Sequence, residues 1–419
     1  MNHIKNPQLT LWTSCLLTVT LLYACQPDTS QQESDLATSK ELSFQMTQIA
    51  DSLEFIWAHC PADITGDGIT DLVFVNNNGF GGTLEFLTGQ MEEGIWKRTV
   101  IADKAPSGET FAQGDLECAD IDFDGDLDII AAAHTGEWEE ATANSLIYWF
   151  ENPTWEAHQI GEVPDFIKDV SLVDFNQDQK MDLAALTFES SSLTIFQQND
   201  KDDWQQVQQY MDYKNLHEGM HTGDVNGDGW TDIVADAHIF YNPGEDMAGE
   251  WGEENLDEKW NTQTGDWSRN GTKVFVQDVN GDKQSEIFMS HSERPGYPLS
   301  MYQKGSDGTW QETVIADSIP ACHTLQVFDF DQDGDYDVLA GINKSRAKGL
   351  GFTTYEVRIF LSDQDYTSWS PMLVESDGIY NGQAADLEQD GDLDIFRYQT
   401  HDAAQFYVYK NGLNDASTE

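Results

Sequence analysis

The sequence predicts an all-β protein, a seven-bladed β-propeller whose last blade is completed by a strand from the N-terminal end. Three observations carry this reading. An acidic nine-residue pattern, Asp-x-(Asp/Asn)-x-Asp-Gly-x-x-Asp, recurs seven times with varying fidelity, starting at Asp63, Asp120, Asp174, Asp224, Asp278, Asp329 and Asp386. An apolar, strand-like run follows each copy, as in Leu72-Val73-Phe74-Val75 and Val338-Leu339. Most periods close on a Trp-led strand: Trp96 to Ile101, Trp155 to Ile160, Trp204 to Tyr210, Trp310 to Ile315 and Trp369 to Val374. The starts lie 50 to 57 residues apart. That period suits a four-stranded blade, and seven periods suit a seven-bladed ring.

Composition agrees with a folded, turn-rich chain. The 419 residues include 13 Trp, 14 Tyr and 21 Phe, too many aromatics for a disordered acidic chain, and 33 Gly. Asp and Glu number 75 against 21 Lys and Arg, a formal net charge of -54. Phosphate neutralisation needs a basic face, so this balance argues against a nucleic-acid partner. The charge asks for a structural cause, such as bound cations.

From the N-terminus, Lys5 precedes the apolar stretch Leu9 to Tyr23 and then Ala24-Cys25. A basic start, a short apolar core and a small residue before the cut describe a secretory signal over residues 1–24. The stretch is too short and polar for a membrane span. Leu22-Tyr23-Ala24-Cys25 resembles the bacterial lipobox, which implies lipidation at Cys25. The expected location is then outside the cytoplasm, lipid-anchored to a bacterial outer membrane or cell surface. The alternative is an ordinary signal in which Cys25 is incidental. Residues 25–43, rich in Ser, Thr, Gln and Asp, read as a flexible tether. Cys60, Cys118 and Cys322 form no disulfide framework and read as buried small hydrophobes.

The propeller is expected over residues 44–412, with 413–419 as a tail. After the seventh motif only two strands remain, Asp394 to Tyr398 and Gln405 to Tyr409. The missing fourth is found at the other end: Thr47-Gln48-Ile49-Ala50-Asp51 parallels Thr99 to Asp103 and Thr313 to Asp317. The segment from Phe44 is therefore expected as the outer strand of the last blade, which removes an exposed edge.

Oxygen-bearing side chains at positions 1, 3, 5 and 9 of each acidic loop can converge on one hard cation, with Gly at position 6 allowing the tight turn. Four loops look complete: Asp120, Asp122, Asp124 and Asp128; Asp224, Asn226, Asp228 and Asp232; Asp329, Asp331, Asp333 and Asp337; Asp386, Glu388, Asp390 and Asp394. The first keeps Asp63, Asp67 and Asp71 but has Thr65 at position 3. The third (Asp174, Asn176, Asp178, Asp182) replaces the glycine with Gln179, and the fifth (Asp278, Asn280, Asp282, Glu286) with Lys283, whose charge could substitute for the ion. A single cluster of this kind is usually a turn. Seven in register predict Ca²⁺ in most of them. Seven divalent ions would still leave a charge of about -40 from -54, an acidic surface.

These motifs, for example Asp224-Val225-Asn226-Gly227-Asp228-Gly229 and Asp329-Phe330-Asp331-Gln332-Asp333-Gly334, resemble the FG-GAP/VCBS repeats of integrin α-subunit propellers and many secreted bacterial proteins. The resemblance spans roughly residues 44 to 412. It implies that each loop joins the innermost strand to the second at the bottom of the ring, and it says little about function.

If the loops lie at the bottom, residues just before the first strand and just after the second lie at the top, near the axis. Seven of the ten His fall in these windows: His59, His221 and His323 before their loops, and His134, His238, His291 and His401 after them. Lys168, Glu218, Tyr380, Asn77 and Asn343 stand in equivalent places, and Ser292 to Tyr297 forms a top loop. Two readings stay open. Polar residues can simply pack the narrow end of a channel. Alternatively, the set lines a pocket, with His134, Lys168, His238, His291, His323 and Tyr380 as catalytic groups and His59, Glu218, His221, Arg294, Tyr297 and His401 as substrate contacts. Imidazoles there could also hold a transition metal such as Zn²⁺. His, Tyr and Lys/Arg together supply the base, acid and cation of a β-elimination. In this the arrangement resembles propeller-fold polysaccharide lyases and the fungal aldos-2-ulose dehydratase, which implies a carbohydrate substrate. A non-enzymatic module binding glycan or a surface protein is the alternative. No nucleotide loop, Ser-centred elbow or HExxH motif occurs.

Overall fold

The computed structural model describes residues 42–77, 82–136, 143–263 and 270–414. The expected signal, Cys25 and nearly all of the tether lie outside these residues. Seven four-stranded antiparallel sheets follow one another along the chain. Blades 1 to 6 span residues 55–102, 117–164, 167–210, 220–255, 272–316 and 322–375, each running in order from its inner to its outer strand.

Blade 7 joins the two ends of the propeller. Its inner three strands are Tyr380–Ala385, Asp394–Tyr398 and Phe406–Asn411, and its outer strand is Phe44–Ala50. The register pairs Phe44 with Asn411 and Thr47 with Val408. Ile49 is buried with Val408, Phe406 and Trp96, and its carbonyl accepts from the Trp96 amide at 2.7 Å. The closing strand therefore ties blade 7 to blade 1 as well as covering its own sheet edge.

The second strand of every blade starts on position 9 of its acidic loop: Asp71, Asp128, Asp182, Asp232, Glu286, Asp337 and Asp394. These strands are buried on both faces, as in Asp128–His134 and Asp182–Thr187, so they read as continuous apolar runs. Outer strands such as Trp310–Ala316 and Trp369–Glu375 are half-exposed. The core lies between blades. Val73, Val75 and Phe86 of blade 1, for instance, pack with Leu116, Ile129 and Tyr148 of blade 2. Blade 4 has the short outer strand Gly252–Asn255, preceded by the buried Trp251. Its tryptophan sits where the other periods have theirs, though no apolar run in the sequence marks the strand.

Candidate functional site

The acidic loops share one hydrogen-bond scheme. The position 1 carboxylate accepts from the amide of position 6, as in Asp120 to Gly125 (3.1 Å), Asp224 to Gly229 (2.8 Å) and Asp329 to Gly334 (3.1 Å). At position 9 the carboxylate spans two segments. Asp337 accepts from Phe330 N in its own loop at 3.1 Å and from Ser362 N at the end of the third strand at 3.0 Å. Buried and facing the other loop acids, these groups are pushed up: Asp232 and Asp337 to about 7, Asp394 to about 8.

The two loops without glycine keep the same turn. Gln179 and Lys283 adopt φ of 71° and 75°, and their amides bond to Asp174 and Asp278 at 2.8 and 2.9 Å. The substitution strains the backbone instead of abolishing the loop. Lys283 makes no ion pair among the described residues. In the second loop Lys201 binds Asp122 at 2.7 Å. Three carboxylates approach within 4.8 Å of one another in two loops, Asp120/Asp122/Asp128 and Asp329/Asp331/Asp333. Those donor sets are all oxygen and fit a hard divalent cation such as Ca²⁺.

At the other end of the inner strands, one register position gathers a polar ring. The residues six before each loop are Trp57, Gly114, Lys168, Glu218, Thr272, His323 and Tyr380. Bulges re-aim several of them. Ile167 and Asp169 pair with consecutive residues, leaving Lys168 as the extra residue, and His323 is the extra residue between Cys322 and Thr324. Gly114 leaves room for this ring, since a Cβ there would lie 2.7 Å from the Lys168 carbonyl.

Side chains from five blades converge. Lys168 Nζ lies 3.1 Å from Glu218 Oε2, and Lys273 approaches Glu218 Oε1 at 3.9 Å. His323 Nε2 lies 3.1 Å from Glu293 Oε1 and 3.4 Å from Glu218 Oε1. Arg346, on the short helix Lys344–Gly349, holds Glu293 Oε2 and the Glu293 carbonyl, each at 3.0 Å. Tyr380 stacks on His323 with centroids 4.3 Å apart, and His401 lies behind Tyr380. Burial alone would raise Glu218 and lower Lys168, but Lys168, His323 and Lys273 pull the Glu218 carboxyl below its usual range and Glu218 pushes Lys168 up. Burial also raises the Tyr380 phenol, which stays protonated at neutral pH.

Below the ring, a cavity of about 230 Å³ is lined by inner-strand residues of all seven blades. Residues five and three before each loop face it, by strand alternation: Asp115, Glu117, Asp169, Ser171, His221, Lys273 and Gln383 among them. Burial and the Asp169 charge push Asp115 to about 7, and burial and Asp115 push Glu117 to about 8.

The other expected residues lie elsewhere. His59 faces the interblade core against Tyr398 and Phe406, and burial lowers it to about 4. His221 packs on Phe275 and accepts from Val276 N at 3.3 Å. His238 opens the third strand of blade 4 beside Tyr213. His134 contacts Ser145 and Phe166. His291 Nδ1 accepts from the amides of Glu293 and Arg294 (3.1 and 3.2 Å), so it shapes the loop that presents Glu293. Tyr297 packs on His291 and Trp260. The four imidazoles expected in one pocket thus reduce to His323, joined by Lys168, Glu218 and Tyr380. Glu293, Arg346 and Lys273 were not singled out in the sequence. Beside the cluster, Phe55 and Trp57 are half-buried, and Trp57 meets Phe166 edge-on.

Residues 174–235 and 278–340 match the FG-GAP-like repeat model. No curated protein sequence matches the chain. Among solved structures, it is similar to BBS1N from a complex with ARL6DN (10% identity, TM-score 0.51, covering 88% of this chain and 97% of that one). It is also similar to an Agrocybe aegerita lectin that recognises non-reducing terminal N-acetylglucosamine (15% identity, TM-score 0.49, covering 89% and 87%). A third is the Bacillus licheniformis rhamnogalacturonan lyase (12% identity, TM-score 0.48, covering 89% and 78%). At such identities the likeness concerns the fold alone. The chain carries FG-GAP-like repeats and is a seven-bladed β-propeller.

Proposed function

We propose that this chain is an exported, lipid-anchored propeller, stabilised by Ca²⁺ in its acidic loops, that binds carbohydrate at the axial end opposite those loops. One observation supports the site most strongly. Lys168, Glu218, Glu293, His323 and Tyr380 come from five blades and meet in one ion-paired cluster. Buried ion pairs are costly compared with apolar packing, and titratable clusters of this kind concentrate at functional sites. Phe55 and Trp57 supply aromatic faces for the apolar side of a sugar ring, while Lys168 and Arg346 can bind its hydroxyls or a carboxylate.

Binding is favoured over elimination because, of the imidazoles expected as bases, His323 alone contacts the Glu218–Glu293 carboxylates among the described residues. The lyase reading keeps one specific support, the contact of a protonated Tyr380 with His323 beside Lys168. Calorimetric titration with neutral and uronate-bearing oligosaccharides separates the two. Trp57→Ala should weaken a bound oligosaccharide about tenfold, roughly 1.4 kcal/mol. Release of an unsaturated uronide, followed by its ultraviolet absorbance and abolished by Tyr380→Phe, would favour the lyase. No binding by any of the oligosaccharides would reject the carbohydrate reading.

A further inference from the structure

The orientation of His323 is set by its neighbour in blade 7. Asn381 Nδ2 donates to the Trp57 carbonyl at 2.9 Å, which turns its Oδ1 toward His323 Nδ1, also 2.9 Å away. Two acceptors cannot bond each other, so Nδ1 carries the proton and donates it to Asn381. The Nε2 lone pair then faces Glu293 Oε1 at 3.1 Å and Glu218 Oε1 at 3.4 Å. All three donor atoms lie within 4.8 Å of one another. Glu218 is fully buried; its Oε2 ion-pairs with Lys168, while its Oε1 has no hydrogen-bond partner among the described residues. Three electron-rich atoms pointed at one place repel unless a cation lies between them.

We propose that this place is a divalent transition-metal site, of the Zn²⁺ class, with His323 Nε2, Glu218 Oε1 and Glu293 Oε1 as ligands. The mixed nitrogen and oxygen set suits zinc better than calcium, which takes oxygen. Two ligands each about 2.1 Å from a tetrahedral ion stand roughly 3.4 Å apart, close to the separations here. The outer oxygens are held by Lys168 and Arg346, and Asn381 fixes the imidazole tautomer, as partners behind metal ligands do.

The site does not depend on the sugar reading and is tested with metal alone. The protein is first stripped with chelator and then saturated with Ca²⁺, so that the acidic loops are filled. Zn²⁺ titrated calorimetrically should bind once per chain, and Co²⁺ should give visible absorption bands with an imidazole ligand. His323→Gln and Glu293→Gln should each weaken Zn²⁺ at least about a hundredfold. Asn381→Gly, which suits the positive φ of 46° at that position, should weaken it about 10–100-fold. Asp333→Ala, in an acidic loop, should leave Zn²⁺ binding unchanged. No Zn²⁺ binding to the Ca²⁺-saturated protein, or binding indifferent to both His323→Gln and Glu293→Gln, overturns the proposal.

Discussion

His59 and His323 stand four and six residues before their acidic loops, and those two residues decide their roles. Four residues before the other loops stand Leu116, Val170, Met220, Val274, Leu325 and Gly382, nearly all apolar. Strand alternation turns that position into the core, so His59 is buried with neither ring nitrogen hydrogen-bonded among the described residues. Burial lowers it from 6.5 to about 4. The folded state then binds fewer protons than the unfolded one across that window. His59 lowers stability as pH falls from about 6.5 toward 4, by about 1.4 kcal/mol per pH unit. His59→Leu should therefore raise the melting temperature, and the gain should grow from pH 7 to pH 5. A gain independent of pH would show that His59 has the same pKa folded as unfolded. This distinction was legible in the sequence once the periods were aligned residue by residue, but not from their shared place just before the loops. The top loop holding Glu293 was legible, but the roles of Glu293 and Arg346 were not. They sit on segments peculiar to blades 5 and 6, where no repeat supplies a register.

Among the elements, the closing strand was legible because Thr47 to Asp51 copies the outer strands of other blades. Removing residues 44–50 should expose the edge of Phe406–Asn411 and uncover Trp96 and Leu387, giving aggregation. A soluble truncation with an unchanged melting temperature would contradict this closure. The loops lacking glycine looked doubtful in sequence because a residue type was read without its surroundings. Five backbone-to-carboxylate bonds and one to the Asn176 amide oxygen hold the third turn, and they keep Gln179 in the left-handed region at a cost of about 1–2 kcal/mol. Gln179→Gly should recover part of that cost, whereas Gly334→Ala, at φ 98°, should lose stability. Both changes are read as shifts in denaturant midpoint. A destabilising Gln179→Gly would mean that the glutamine side chain contributes more than its strain removes.

The whole ring couples these loops to its charge. At -54, the folded chain repels itself unless cations sit among its carboxylates. Each Ca²⁺ bound only by the native state adds roughly 2.7 kcal/mol at a hundredfold excess over Kd. Chelation should lower the melting temperature markedly. Asp333→Ala should cost more than Asp282→Ala in Ca²⁺, since Asp333 belongs to a converging carboxylate trio. In chelator the two losses should become similar, because each side chain then only accepts one local amide bond, from Asp335 at 3.0 Å and Gln284 at 2.8 Å. A difference that survives chelation would make loop geometry, not the ion, the cause.

At the same scale, the account rests on one end of the ring being the working surface. A crystal soaked with a uronate-bearing oligosaccharide tests this most directly. Sugar should lie over the axial cluster, stacked on Trp57 and within hydrogen-bond reach of Lys168 or Arg346. Sugar bound on the outer strands or at the acidic loops, with the Lys168–Glu218–His323 cluster untouched, would contradict it.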